Sequence, residues 1–265
     1  MLTDPKLLQI NSRDAQSTPD GLHRFHFHPV ICPKHLMMSV AVRNIQLPCS
    51  FYTVNDFNRS FMVNGSTYQI EAGNYTTSDL TNALNSILSP IQVSYSKIKN
   101  SLTFTDTSTM TIQASRLLGI SAETSGTTIQ SDLAIDLSGT RAIFVRSMNM
   151  DYRSISSRTL GETNTLVRVP TNANRNGIIF YAEENPSFQT LPSKVLSHMI
   201  LEFLDDEGNR IDFRGALFSM TLEIRIVEPY QPIKVEHKNN ILQIVDDQGD
   251  NKPGSSQDKA SSLAV

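Results

Sequence analysis

Three histidines, His23, His26 and His28, stand close together near the start of the chain. Imidazole is a common metal ligand, so a metal centre would be sought here first. In an extended segment, residues two apart share a face, so His26 and His28 point one way and His23 the other. Two ligands can meet one ion there, and no third is supplied locally. Polar positions on a strand are therefore the expected reading, and no metal is expected. His35, His198 and His237 are scattered. His198, just before a strand, reads as a packed or surface position, not as a general base. Cys32 and Cys49 lack the spacing of a zinc knuckle or redox pair, and with Pro33 and Pro48 beside them they read as buried free thiols at strand boundaries. The acidic loops Asp205-Asp-Glu-Gly-Asn209 and Asp246-Asp-Gln-Gly-Asp-Asn251 could attract calcium, but neither has the twelve-residue EF-hand spacing. A charged turn and a charged tail are expected. The chain has neither a Gly-rich phosphate loop nor a serine-elbow pattern, so we expect no catalytic residue, no cofactor and no enzyme.

Other surface chemistry is equally sparse. Arg141, Arg146, Arg153 and Arg158 give one stretch a basic character that suits solvated positions or interface salt bridges. Trp is absent and aromatic residues total 7%, so a carbohydrate-stacking platform is not evident. The sequons at Asn58, Asn64 and Asn74 use ordinary turn vocabulary. The opening MLTDPKLLQINSRD has no apolar run of signal-peptide length, so synthesis in the cytosol without secretion is expected. No stretch approaches the roughly 20 apolar residues that cross a bilayer as a helix. With a net charge of −3, the positive field of a nucleic-acid binder is missing, and no direct nucleic-acid contact is expected.

The elements that must carry these residues are mostly strands. Hydrophobic residues at 39% and charged residues at 18% leave enough apolar side chain for a core, and 265 residues suit one large all-β domain or two small ones. In 22–28, Phe25 and Phe27 alternate with Arg24, His26 and His28, as in a strand laid against something else. Met38, Val40 and Val42 share a face, and a bulge near Arg43-Asn44 would bring Ile45 and Leu47 onto it. Asn64-Gly65 between two β-prone runs predicts a hairpin. Thr77-Ser78 caps a predicted helix over 78–88 with Leu80, Ala83, Leu84, Ile87 and Leu88 at helical spacing, stopped by Ser89-Pro90. Ile91 to Phe104 reads as a second hairpin, with its turn at 97–101. The stretches 121–132 and 151–164 read as polar loops, Arg141 to Arg146 as a central strand, and 205–210 as a hairpin tip before a strand at 211–213. In 218–226, Phe218, Met220, Leu222, Ile224 and Ile226 face a core, while Ser219, Thr221, Glu223 and Arg225 face water. Many short strands and one helix predict an all-β protein, an antiparallel sandwich with a jelly roll as the specific expectation.

Several segments read together carry more than any single motif. Ile45-Gln-Leu-Pro-Cys-Ser-Phe-Tyr-Thr-Val-Asn55, Ile70-Glu-Ala-Gly-Asn-Tyr-Thr76 before the capped helix, and Leu117-Leu-Gly-Ile120 resemble the first half of minor capsid proteins. Ile135-Asp-Leu-Ser-Gly-Thr-Arg-Ala-Ile-Phe-Val-Arg-Ser147, Gly177-Ile-Ile-Phe-Tyr181, Leu204-Asp-Asp-Glu-Gly-Asn209 and Phe218-Ser-Met-Thr-Leu-Glu-Ile224 continue the likeness in the same order. The resemblance is to proteins of virophages, polinton-like viruses and related large icosahedral DNA viruses, and it spans roughly 36–228. It implies a jelly-roll penton (vertex) or other minor capsid subunit, usually a homopentamer, with the major capsid protein and other minor capsid proteins as partners and the virion as its location. The organisation expected is an N-terminal arm at 1–35, a sandwich at 36–228, and a C-terminal arm with a mobile tail at 229–265. Phe25 and Phe27 in one arm, and Ile241, Leu242, Ile244 and Val245 in the other, are the expected assembly contacts. The competing expectation is a receptor-binding spike or fibre domain, with 121–132 and 151–164 as binding tips.

Overall fold

The computed structural model describes residues 4–17, 21–150, 154–156, 161–229, 234–238 and 241–245. Four strands come first: β1 (Lys6–Asn11), the short β2 (Gln16–Ser17), β3 (His23–Ile31) and β4 (Met37–Pro48). An insertion follows, with β5 (Ser60–Val63), β6 (Ser66–Gln69), α1 (Thr77–Leu88), β7 (Gln92–Ser96), β8 (Ser101–Ile112) and β9 (Thr124–Gln130). The chain then runs through β10 (Ala142–Ser147), β11 (Ser154–Ser156), β12 (Gly161–Thr163), β13 (Thr165–Pro170), β14 (Ile178–Ala182), β15 (Gln189–Thr190), β16 (Val195–Leu204) and β17 (Ser219–Val227). Beyond Val227 lies a second compact unit, in which the backbones of β18 (Lys234–Lys238) and β19 (Ile241–Val245) pair as an antiparallel hairpin.

Strand pairing identifies the architecture. One sheet has the order β1-β17-β4-β14, with β15 also on β4, and the other has the order β13-β10-β16-β3-β2. Among the eight principal strands, the first pairs with the eighth (β1 with β17), the second with the seventh (β3 with β16), the third with the sixth (β4 with β14) and the fourth with the fifth (β10 with β13). All these pairs are antiparallel. A long hairpin rolled up in this way is a jelly roll. The core between the sheets is apolar because alternate residues of each strand turn inward. From β4 come Met38, Val40, Val42, Ile45 and Leu47, and from β17 come Met220, Leu222, Ile224 and Ile226. Asn44 faces Thr221 while Val42 faces Leu222, so Arg43 is the extra residue of a bulge that keeps all five β4 side chains inward.

The expected N-terminal arm at 1–35 is corrected by this pairing. β1 and β3 are the first two strands of the jelly roll, with Ile10 and Phe25 each 4% exposed in the core. The period-2 pattern at 22–28 marks part of β3. Its partner, β16, lies some 170 residues further along and leaves no local trace.

The insertion between β4 and β10 builds a separate core from Val54, Phe61, Leu80, Leu84, Leu88, Phe104, Met110, Ile112 and Leu118, among others. Thr76, one residue before the expected cap, starts α1: its hydroxyl accepts from Asp79 N, and the Asp79 carboxylate accepts from Thr76 N. Leu80, Leu84 and Leu88 are the buried stripe. Asn85 ties the helix to β7, accepting from Val93 N at 2.7 Å and donating to Val93 O at 2.8 Å. Asn64 and Gly65, with φ of 51° and 75°, make the β5–β6 turn that their dipeptide predicts.

Three smaller expectations change. Residues 124–130 form β9 on β8 although they are polar, because Ile129 alone is needed inward and Thr suits an exposed edge strand. Residues 154–156 and 161–163 pair as β11–β12. Residues 211–213 form no strand. The tail at 246–265 lies outside the described residues.

Candidate functional site

The histidines are parted by the sheet as their spacing requires, and the fold adds a neighbour. His23 is half-buried against the edges of Phe203 and Phe218, with ring centroids 5.6 and 5.0 Å away. Burial pushes its pKa below the usual imidazole value, and its buried Nδ1 has no hydrogen-bond partner among the described residues. His26 and His28 face outward on β3. His198 of β16 pairs with His26 in register, at 6.0 Å between ring centroids. Asn149 accepts from Ile200 N at 2.7 Å through Oδ1, so its Nδ2 is the donor toward His198 Nε2 at 3.3 Å. Among the described residues, no three His, Cys, Asp or Glu side chains come together as a metal site.

Cys32 and Cys49 are buried free thiols. Burial raises the Cys49 pKa, and Arg175 partly opposes it. The acidic hairpin 205–209 spends its charge on itself: Asp205 Oδ1 accepts from Glu207 N at 2.8 Å and Asn209 N at 2.7 Å, and its Oδ2 from Asn209 Nδ2 at 3.1 Å. Glu207 pairs with Arg116 of the insertion, and Arg141 pairs with Asp136 at 2.8 Å. Arg146 Nε is buried without a partner among the described residues, where Arg153 and Arg158 do not fall.

Between this hairpin and the insertion lies a cleft of about 310 Å³, lined by Tyr52, Phe57, Arg116, Asp136 and Glu207, among others. Its walls come from four separated stretches of sequence, which is why sequence reading missed it. Two of its carboxylates, Glu207 and Asp136, are paired with Arg116 and Arg141, Asp205 is held by the N–H groups of its own hairpin, and the lining residues include no histidine or cysteine.

A second feature missed from sequence is Glu223. It sits on the outward face of β17, expected to be wet, yet is 3% exposed. Arg43 Nε reaches it at 3.0 Å and Arg225 Nη2 at 2.8 Å, while Arg225 stacks 4.0 Å over the Phe188 ring. Arg43 also donates to Glu183 O and Glu184 O, so these ion pairs tie the 183–188 segment across the sheet.

The expected assembly residues divide. Phe25 faces the core, where its side chain is not free to lie on a neighbour, and Phe27 packs partly buried beside it. Ile241, Leu242, Ile244 and Val245 lie on β19, where only the backbone is described. The sandwich instead exposes other apolar groups: Ile178 (68%) and Phe180 (55%) on β14, and Leu7 (63%) on β1. Each belongs to a strand at the edge of the same sheet.

No protein-family model matches the chain, and no curated protein matches it significantly. Among solved structures, it is similar to the crystal structure of the mavirus penton protein, at a TM-score of 0.48 and 10% identity, over 84% of this chain and 100% of that one. So distant a likeness carries no argument, and the jelly-roll assignment rests on strand pairing.

Proposed function

We propose that this chain is a structural subunit of an icosahedral viral capsid, either the pentameric penton at the vertices or another minor capsid protein, located in the virion. The observation that carries this reading is the first-with-last strand pairing of the sandwich, one of the architectures from which viral capsids are built. Fold alone does not assign function. The second support is the ordered series of segments, from Ile45 to Ile224, that resembles minor capsid proteins of virophages and related viruses. In this role the protein performs no chemistry. It contributes a rigid shape, and individually weak contacts become decisive when symmetry repeats them. The major capsid protein and other minor capsid proteins are the partners, and the segment carrying Ile241 to Val245 is a candidate arm toward them.

Purified full-length protein and an electron-microscopy reconstruction of the particle test this reading. A pentamer, with density for this chain at the vertices, is the expected result. A trimer with affinity for cell-surface glycans would overturn it in favour of a receptor-binding spike or fibre domain.

A further inference from the structure

We propose that neighbouring copies of this chain join edge to edge, the open edge of β14 in one copy pairing antiparallel with the open edge of β1 in the next. This deepens the assembly role proposed above and rests on it.

Edge strands invite pairing, and natural sheets blunt them with charge, proline or bulges. β14 has none of these: its sequence is IIFYA, and Ile178 and Phe180 stand largely exposed on its outer face. The edge of the other sheet at β13 carries Arg168 and Pro170, and at β3 it is partly covered by β2. The near-edge contact on β14 is a long 3.5 Å bond from Asn172 Nδ2 to Phe180 O.

Three features make a second copy the occupant. The first is direction. Each step along β1-β17-β4-β14 is antiparallel, so β14 runs opposite to β1, and side-by-side copies present them antiparallel. The second is hydrogen-bond phase. Ser12 N donates to Phe218 O and Glu183 N to Arg43 O, and backbone groups alternate sides along a strand. Hence the N–H and C=O groups of Leu7, Gln9 and Asn11, and of Ile178, Phe180 and Ala182, point toward edges that no strand among the described residues pairs with. These are also the residues on the outer face, so pairing these groups, with the long Asn172 bond to Phe180 O displaced, matches face to face.

The third is charge. With Lys6 opposite Glu183, Leu7 meets Ala182, Gln9 meets Phe180 and Asn11 meets Ile178 on the outer face. On the inner face Leu8 meets Tyr181 and Ile10 meets Ile179, extending the existing apolar rows. Exposed Lys6 thus faces Glu183, whose carboxylate also accepts from Tyr181 Oη. The contact is heterologous, so it builds a ring if the rotation closes.

Disulfide trapping in the full-length chain tests the register. Leu7→Cys combined with Ala182→Cys places two thiols directly opposite, within the Cα separation a disulfide accepts. Mild oxidation is expected to give a ladder of covalent oligomers larger than a dimer, absent from either single variant. Phe180→Lys, at an exposed position, should abolish association while leaving the monomer's circular dichroism unchanged. Lys6→Glu should weaken association several-fold, and adding Glu183→Lys should restore it. Dimers from Ala182→Cys alone would overturn the proposal in favour of a twofold β14 contact. A monomer at all concentrations, or oligomers that never crosslink, would overturn it too. A vertex position in the particle without the crosslink would sink this pairing and leave the capsid reading standing. The crosslink in a protein that enters no particle would do the reverse.

Discussion

The sandwich and the insertion are built from similar residues by opposite means. In the insertion, β5 pairs with β6 across the Asn64-Gly65 turn, β7 with β8 across four residues, and α1 packs on the strand that follows it. In the sandwich, β1 pairs with β17, so that Lys6 faces Ile224. Local pairing costs little loop entropy and leaves turn and cap residues as its signature, whereas pairing the first strand with the last leaves none. The insertion should therefore be robust to changes at the chain ends, and the sandwich should depend on them.

The largest effect tests this dependence. Removing residues 1–14 strips β1 from β17 and takes Leu8 and Ile10 from the core. The expected loss approaches the about 5–15 kcal/mol that stabilises a typical domain. Amide exchange should then show the β3–β16 and β4–β17 ladders unprotected, while β7–β8 stays protected. Equal loss of protection in both regions would show that they fold as one unit.

Single core truncations come next. Leu222→Ala in the sandwich and Leu84→Ala in the insertion, both fully buried, should each cost about 2–5 kcal/mol. Exchange should rise mainly in the region carrying the substitution. A uniform rise from Leu84→Ala would again erase the distinction.

A smaller change separates the outer face of the sandwich from its core. Glu223→Gln leaves Arg43 and Arg225 without their shared carboxylate. Because both arginines are partly exposed, solvent reduces the cost of the buried charge, and about 1–3 kcal/mol is expected. Denaturant midpoints of the wild type and Glu223→Gln measure it. No change would mean that the 183–188 segment does not need the ion pairs.

The smallest effect is the response to acid, which should reach the two regions at different pH. His23 has a folded pKa below its unfolded value of 6.5, so the unfolded chain binds more protons. Its contribution is intact above that value, and stability falls as pH drops below it, toward the folded pKa. In the insertion, Asp79, Asp132 and Asp136 are held below the ordinary carboxylate value by hydrogen bonds from Thr76, Ser121 and Ser138. Their stabilisation is present above the unfolded value near 3.8 and is lost as pH falls through the folded values. Region-resolved exchange should show the sandwich weakening first, near pH 6, and the insertion only below about pH 4. His23→Phe should remove the first phase. If that phase persists in the variant, His23 is not its source.

Reading the sequence worked wherever one element contained its own reason. The Leu80, Leu84, Leu88 stripe, the Asn64-Gly65 turn, the Arg43 bulge and the inward face of β17 all follow from local periodicity and backbone preference. It failed where the reason lay elsewhere in the chain. Residues 22–28 show a strand but not that β16 takes it, and for that reason a sandwich strand read as an arm. The alternation of β17 marks Glu223 as outward, but the 183–188 segment and two arginines close over it. His26 and His28 lack a local neighbour, and the fold brings His198 to within one strand spacing. The sequence by itself determined the strands that alternate strongly, where the helix sits and that an all-β sandwich results, because alternation and turn chemistry act over a few residues; the polar β9 and the short β11 and β12 carry no such alternation. Only the tertiary structure decided which strands meet, what covers the outer face and which edges stay open, because those depend on contacts between residues as far apart as Lys6 and Ile224.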